Sequence, residues 1–130
     1  MMLKSKHLIG LEDFPISDLN KIIDTSFKFK QILDSPGRKI NLLKGKTLVN
    51  MFFENSTRTK ISFTLAEKRL GADSINFSAT GSSVKKGETL KDTVQNIESM
   101  QIDGAIIRHS HPGAALKLTE YIDGSVINAG

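Results

Sequence analysis

Ser56, Thr57, Arg58 and Thr59 place three hydroxyls and a guanidinium on four consecutive residues. That set suits an anion, because hydroxyls donate to phosphate or carboxylate oxygens and the planar guanidinium fork meets them two at a time. Two other stretches carry matching chemistry. Ser82-Ser83-Val84-Lys85-Lys86-Gly87 offers hydroxyls and ammoniums, and Arg108, His109, Ser110 and His111 follow an apolar run. Arg58, Lys86 and Arg108 have no acidic run beside them, so an anionic ligand fits the three cations if the fold gathers them. Each also has a plainer reading. Ser56 is an ordinary N-cap residue and Thr is common in a first helical turn. Lys85 and Lys86 read equally as a solvated loop pair, and Arg108 as a surface charge at a strand end. Capping explains Arg58 least well, since the helix macrodipole disfavours a cation in the first turn.

Other chemistries find less support. His109 and His111 read as a metal pair or an acid/base pair, but no third ligand from Cys, Asp or Glu stands close by, and no metal site is expected. The glycine pattern of a nucleophile elbow is missing, as are G-x-x-x-x-G-K-[ST] and the dinucleotide fingerprint. The chain has no cysteine, which removes disulfides, thiolate ligands and a thiol nucleophile, and fits a reducing compartment.

The elements that must position these groups follow from periodicity. Thr47 to Phe53 is an apolar run that reads as a buried parallel strand, and Lys60 to Leu70 as a helix ended by Gly71. The hydroxyl-rich turn therefore sits where a strand ends and a helix begins. In an open α/β sheet, ligands bind there, and a helix start carries unpaired N–H groups that attract anions. Residues 1–15 read as an irregular lead-in. Pro15-Ile16-Ser17-Asp18 signals entry to a helix running to Asp34, with Ile16, Leu19, Ile22, Ile23, Phe27 and Leu33 near helical spacing, and Lys21, Lys28 and Lys30 opposite. Ser35-Pro36-Gly37 stops it.

Asp73 to Ser78 predicts a second strand and Ala79 to Gly87 a loop. Glu88 to Met100 predicts a helix with Leu90, Val94, Ile97 and Met100 in phase, and Thr89 with Asp92 resembles a capping box. Asp103 to His109 predicts a third strand. Pro112 opens a helix with Ala115, Leu118 and Ile122 inward, and Ser125 to Asn128 begins a fourth strand. Strands alternating with helices predict right-handed crossovers and an α/β fold: a three-layer αβα architecture on a parallel sheet of four or more strands, open and doubly wound. All carboxyl ends then share one edge, which brings the three chemical stretches together. A chain ending at Gly130, right after a strand, reads as part of a longer α/β unit.

At 130 residues the chain can build one domain with a real core. A net charge of +4 raises nucleic acid as a ligand, but the basic residues are scattered and one Tyr with no Trp leaves little for base stacking. A small phosphorylated ligand is the better reading. No run approaches the roughly 20 apolar residues of a membrane span, and no secretory leader is visible at Met1 to His7.

Taken together, Phe53-Glu54-Asn55-Ser56-Thr57-Arg58-Thr59, Lys86-Gly87-Glu88-Thr89 and Arg108-His109 resemble the catalytic chains of the aspartate carbamoyltransferase family. The similarity runs from about Leu8 to the end and includes Leu70-Gly71-Ala72 and Asn128-Ala129-Gly130. The first motif is specific to carbamoyltransferases, and the Lys-Gly-Glu-Thr loop separates the aspartate enzymes from the ornithine ones. The resemblance implies transfer of the carbamoyl group from carbamoyl phosphate to L-aspartate, early in pyrimidine synthesis, in the cytoplasm and without a cofactor. It assigns residues 1–130 to the carbamoyl-phosphate-binding domain and leaves the aspartate-binding domain out of this chain. By the same resemblance Ser56, Thr57, Arg58, Thr59 and Arg108 bind carbamoyl phosphate. Arg58, Thr59 and Arg108 act in catalysis, and Ser82 and Lys86 come from a neighbouring subunit of a homotrimer to which regulatory subunits can attach. Glu54 would orient arginines. The family's further histidine lies in a His-Pro-Thr-Gln motif that would fall beyond Gly130, and neither His109 nor His111 stands in for it. The 130 residues alone are therefore expected to bind carbamoyl phosphate weakly or not at all, and not to turn over. Two alternatives stand beside this reading: an ornithine-type carbamoyltransferase, and a non-catalytic anion-binding or assembly module.

Overall fold

The computed structural model describes residues 2–37, 40–78 and 90–130. The loop expected over Ala79 to Gly87, including Ser82 and Lys86, and the capping residue Thr89 lie outside the described residues.

Among the described residues four strands, β1 (Thr47–Phe52), β2 (Asp73–Ser78), β3 (Gly104–Arg108) and β4 (Ser125–Asn128), form one parallel sheet in the order β2-β1-β3-β4. Among the described residues four helices are interleaved: α1 (Ile16–Leu33), α2 (Thr57–Arg69), α3 (Leu90–Glu98) and α4 (Ala114–Leu118). Alternation along each strand sorts side chains between faces. Val49, Met51, Ala105, Ile107 and Val126 point to one face and pack with Val94 of α3 and Ala114, Ala115 and Leu118 of α4. Leu118 and Met51 are fully buried. On the opposite face Asn50 meets Thr64 and Glu67 of α2. Helices therefore cover both faces, the three-layer arrangement expected from the sequence. From β1 the chain moves to β2 on one side, and β3 lies on the other side. The crevice between the carboxyl ends of β1 and β3 is therefore a topological switch point.

Several details differ from the sequence reading. Helix α2 starts at Thr57 rather than Lys60: the Lys60 N–H donates to the Ser56 carbonyl at 3.0 Å, so the low-propensity threonines are already helical. Helix α3 ends at Glu98, where Gln101 takes a left-handed φ of 62° and leaves Met100 exposed. In α1 the apolar stripe is incompletely covered. Leu19, Ile22 and Leu33 are half-buried, whereas Ile16 and Phe27 are 75% and 62% exposed. The lead-in is not irregular throughout. Leu8 bridges Ile127 in parallel, donating to Val126 O at 2.9 Å and accepting from Asn128 N at 2.8 Å, and so covers the outer edge of β4. Further back, the buried Asp18 carboxylate accepts the backbone N–H groups of Lys4 and Ser5 at 3.0 and 2.8 Å.

The far end of α2 matches expectation. Leu70 is the C-cap, Gly71 follows at φ +89°, and the N–H groups of Gly71 and Ala72 return to Lys68 O and Glu67 O. That pair of bonds is a Schellman closure, which needs a residue in the left-handed region.

Candidate functional site

Parallel register brings Phe52 of β1 level with Arg108 of β3. One further ladder bond, Phe53 N–H to Arg108 O at 2.9 Å, extends the pairing. Glu54 and the Arg108 side chain therefore leave neighbouring strands at the same height, directly below the start of α2. The Arg108 guanidinium donates through Nη1 to Thr59 Oγ1 at 3.3 Å and through Nε to Glu54 Oε2 at 3.5 Å. Both contacts are long. The pair is 31% and 40% exposed, so its Coulomb attraction is screened by water and its worth lies in orientation rather than stability. A guanidinium has five N–H donors, and these two bonds leave others for a ligand. Thr59, accepting from Arg108, keeps its own O–H to donate.

Ser56 stands at the N-cap of α2 with extended φ, and its hydroxyl makes no capping bond. The capping reading of this residue therefore fails on geometry, and the hydroxyl remains available. Ser56 and Thr57 line a cavity of about 300 Å³ with Phe52, Glu54, Asn55, Lys60 and Ile61. Arg58 is exposed and has no ion-pair partner among the described residues. The structure thus joins Thr59 to Arg108 directly, sets Ser56 and Thr57 around an adjacent cavity, and leaves Arg58 apart from both. Ser82 and Lys86 fall outside the described residues.

Beside Arg108, the His109 ring packs on Phe53 with centroids 4.8 Å apart, and its Nδ1 accepts the backbone N–H of His111 at 3.0 Å. Burial holds its pKa below the usual histidine value; the His111 charge adds to this and Glu54 opposes it. Among the described residues no group of three His, Cys, Asp or Glu could hold a metal ion.

A polar cluster lies under α2, although the β1 run reads as apolar in the sequence. Asn50, wholly buried, offers Nδ2 to Glu67 Oε1 at 3.0 Å and Asn76 Oδ1 at 3.1 Å, while Ser74 Oγ donates to Glu67 Oε1 at 2.6 Å. The signal available was Asn50 itself, a lone amide inside a run of Leu, Val, Met and Phe. Thr64 Oγ1 also reaches Asn76 Oδ1, at 3.2 Å.

Helices on both faces of a parallel sheet, with a hydroxyl and a guanidinium meeting at its switch point, define a domain of the open α/β class. The model of one family, "Aspartate/ornithine carbamoyltransferase, carbamoyl-P binding domain", matches residues 6–130, and the chain belongs to that family. Among curated relatives, the aspartate carbamoyltransferase catalytic subunit of Christiangramia forsetii is 52% identical over 124 residues, covering 95% of this chain and 40% of the relative. That of Cytophaga hutchinsonii is 49% identical over 128 residues, covering 98% of this chain and 42% of the relative. Among solved structures, the catalytic subunit of M. jannaschii aspartate transcarbamoylase superposes with a TM-score of 0.88 at 40% identity, over 97% of this chain and 42% of that one. Trypanosoma cruzi aspartate transcarbamoylase, in complex with carbamoyl phosphate and aspartate, superposes with a TM-score of 0.86 at 34% identity, over 98% of this chain and 42% of that one. The chain spans about two fifths of the length of these relatives.

Proposed function

We propose that this chain supplies the carbamoyl-phosphate half of an aspartate carbamoyltransferase site. The observation that carries the reading is the Arg108–Thr59 hydrogen bond at the β1/β3 switch point, which joins two separate sequence motifs into one donor cluster. The phosphate group sits at the start of α2, held by Ser56, Thr57, Arg58 and Thr59, where unpaired N–H groups and the helix dipole favour negative charge. Thr59 and Arg108 also reach the carbamoyl oxygen. The α-amine of L-aspartate attacks the carbamoyl carbon, the oxygen gains negative charge in the tetrahedral intermediate, and the carbon–oxygen bond to phosphate then breaks. The departing phosphate takes the amine proton, leaving N-carbamoyl-L-aspartate. Donors already in place where that charge develops are typically worth about 3 kcal/mol each. The protein contributes positioning and electrostatics, and no cofactor takes part.

Aspartate binds to a second domain, a reading supported by the length of the relatives, of which this chain's match covers only 40%. Ser82 and Lys86 reach the site from a neighbouring copy in a homotrimer. The pathway is pyrimidine synthesis and the compartment cytoplasmic; no described helix is long and apolar enough to cross a membrane. The test is direct. Carbamoyl phosphate or inorganic phosphate is titrated into the 130-residue chain and into its Arg58→Ala and Arg108→Ala variants, with urea unfolding as a control. Each variant is expected to weaken binding at least tenfold, a loss of about 1.4 kcal/mol, with little change in stability because both side chains are solvent-accessible. Unchanged affinity in both would refute the reading. Assaying a chain that includes the second domain with aspartate and ornithine in parallel identifies the acceptor.

A further inference from the structure

His109 takes no part in the site as the family resemblance draws it, yet it touches two of the strand ends that form the site. Its ring lies 4.8 Å from that of Phe53, whose own ring lies 6.0 Å from Phe77 of β2. Side chains at the carboxyl ends of β2, β1 and β3 thus form a continuous aromatic row just beneath Glu54 and Arg108. The same ring also folds the following turn back on itself, because Nδ1 accepts the His111 N–H at 3.0 Å. An imidazole nitrogen that accepts cannot carry a proton, so Nε2 bears the hydrogen and the ring is neutral.

We propose that neutral His109 is a positioning residue for the anion site: it ties the ends of β1 and β3 together and so holds Arg108 at the distance from Glu54 and Thr59 that leaves its free donors facing the ligand. The inference rests on the anion-site reading above. Protonation would put a hydrogen on Nδ1 against the His111 N–H, replacing an acceptor with a second donor and opening the turn. The charged and titratable groups that face the ring are Glu54 from the end of β1, Arg108 as its chain neighbour, and His111 across the turn, whose ring is 5.4 Å away. From α4 only apolar Ala115 borders the small cavity beside it. Loss of the neutral form should therefore loosen the site as pH falls.

The experiment uses the 130-residue chain with inorganic phosphate as probe, followed by amide NMR shifts of Thr59 and Arg108. Two variants separate the two contacts. His109→Asn places an amide oxygen near Nδ1, keeping an acceptor that does not titrate. His109→Phe keeps the ring on Phe53 and loses the acceptor. The Phe variant is expected to bind phosphate about threefold more weakly at neutral pH, because the lost hydrogen bond lies at the surface and its net worth falls at the low end of the usual range, and the Asn variant to recover most of that loss. The ratio of wild-type to Asn affinity, which cancels the titration of phosphate itself, should fall as pH drops through the depressed pKa of His109. Long-range proton–nitrogen spectra of the free chain should show the Nε2–H tautomer. No phosphate response in the wild type overturns the anion-site reading and this inference with it. A normal response, combined with unchanged affinity in the Phe variant or a pH-independent ratio, overturns the inference alone. So does an Nδ1–H ring, whether or not either variant folds.

Discussion

Glu67 should control the pH dependence of stability in this domain. Its carboxyl is almost wholly buried under α2 and receives two hydrogen bonds on Oε1, from Asn50 and Ser74, while Oε2 has no donor; Asn50 Oδ1, also buried, has none either. Burial pushes the Glu67 pKa above the usual carboxylate value, against the smaller opposing pull of the Ser74 and Asn50 bonds. A proton on Oε2 relieves one of the two unpaired acceptors by turning it into a donor. A carboxyl whose pKa is raised on folding stabilises the native state fully below its unfolded value, near 4.5, and loses that contribution as pH rises through the folded value. Two variants separate the terms. Glu67→Gln has the size of the neutral acid and does not titrate. It should match the wild type at low pH and gain on it steadily as pH rises through the raised value. Glu67→Ala removes the shortest acceptor contact of Asn50 Nδ2, which keeps its bond to Asn76 and longer ones to Thr64 and Ser74, and the acceptor of Ser74 Oγ, which is half-buried and can turn to water. One buried donor left short, one bond exchanged for water and a small void come to about 2–4 kcal/mol. The assay is urea unfolding by circular dichroism across a pH series. Parallel profiles for wild type and Gln would refute the protonated carboxyl. A cost for Ala below about 0.5 kcal/mol, the range of an ordinary surface change, would refute the buried network.

Leu118→Ala should cost about 2–5 kcal/mol in urea or thermal unfolding, because Leu118 is fully buried between α4 and the Val49–Val126 face of the sheet. Gly71→Ala should destabilise by more than about 1 kcal/mol. Its φ of +89° disfavours a side chain, and a Cβ would come within 3.2 Å of Asn41 Oδ1. Asp18→Asn should speed hydrogen exchange at the amides of Lys4 and Ser5. In the wild type, whose Asp18 pKa is held below the usual value chiefly by the Lys4 N–H, the same protection should persist above the ordinary carboxylate range and disappear as pH falls through the lowered value.

The parts legible in the sequence were those set by neighbours along the chain. The run from Thr47 carries its own strand signal. Gly71 marks a helix end because the Schellman bonds join residues at most five apart. The meeting of Thr59 with Arg108, 49 residues apart, was also reachable, since parallel topology puts all carboxyl ends on one edge whatever the details. What stayed hidden depended on partners distant in sequence and on geometry that periodicity does not encode. Asn50 looks like an interruption in an apolar strand until Glu67 and Asn76 are seen across from it. Asp18 looks like a first-turn carboxylate on a helix surface, yet the returning lead-in buries it. Ser56 has the composition of a cap without its bond, and the exposure of Ile16 and Phe27 cannot be read from a stripe that only says which side they share.

Helix α2 behaves like a beam clamped at its root and along its underside. Gly71 locks the last turn, Glu67 is bolted to β1 and β2, and the opposite tip is left to meet the ligand. On the function proposed above, an anion would meet backbone amides whose ordering was settled when the domain folded, and the entropy lost on binding would fall on the ligand and on exposed side chains such as Arg58 instead. Alterations at the clamped end, more than 10 residues from the tip along the chain, should consequently be felt as weaker anion capture even when the tip itself is untouched.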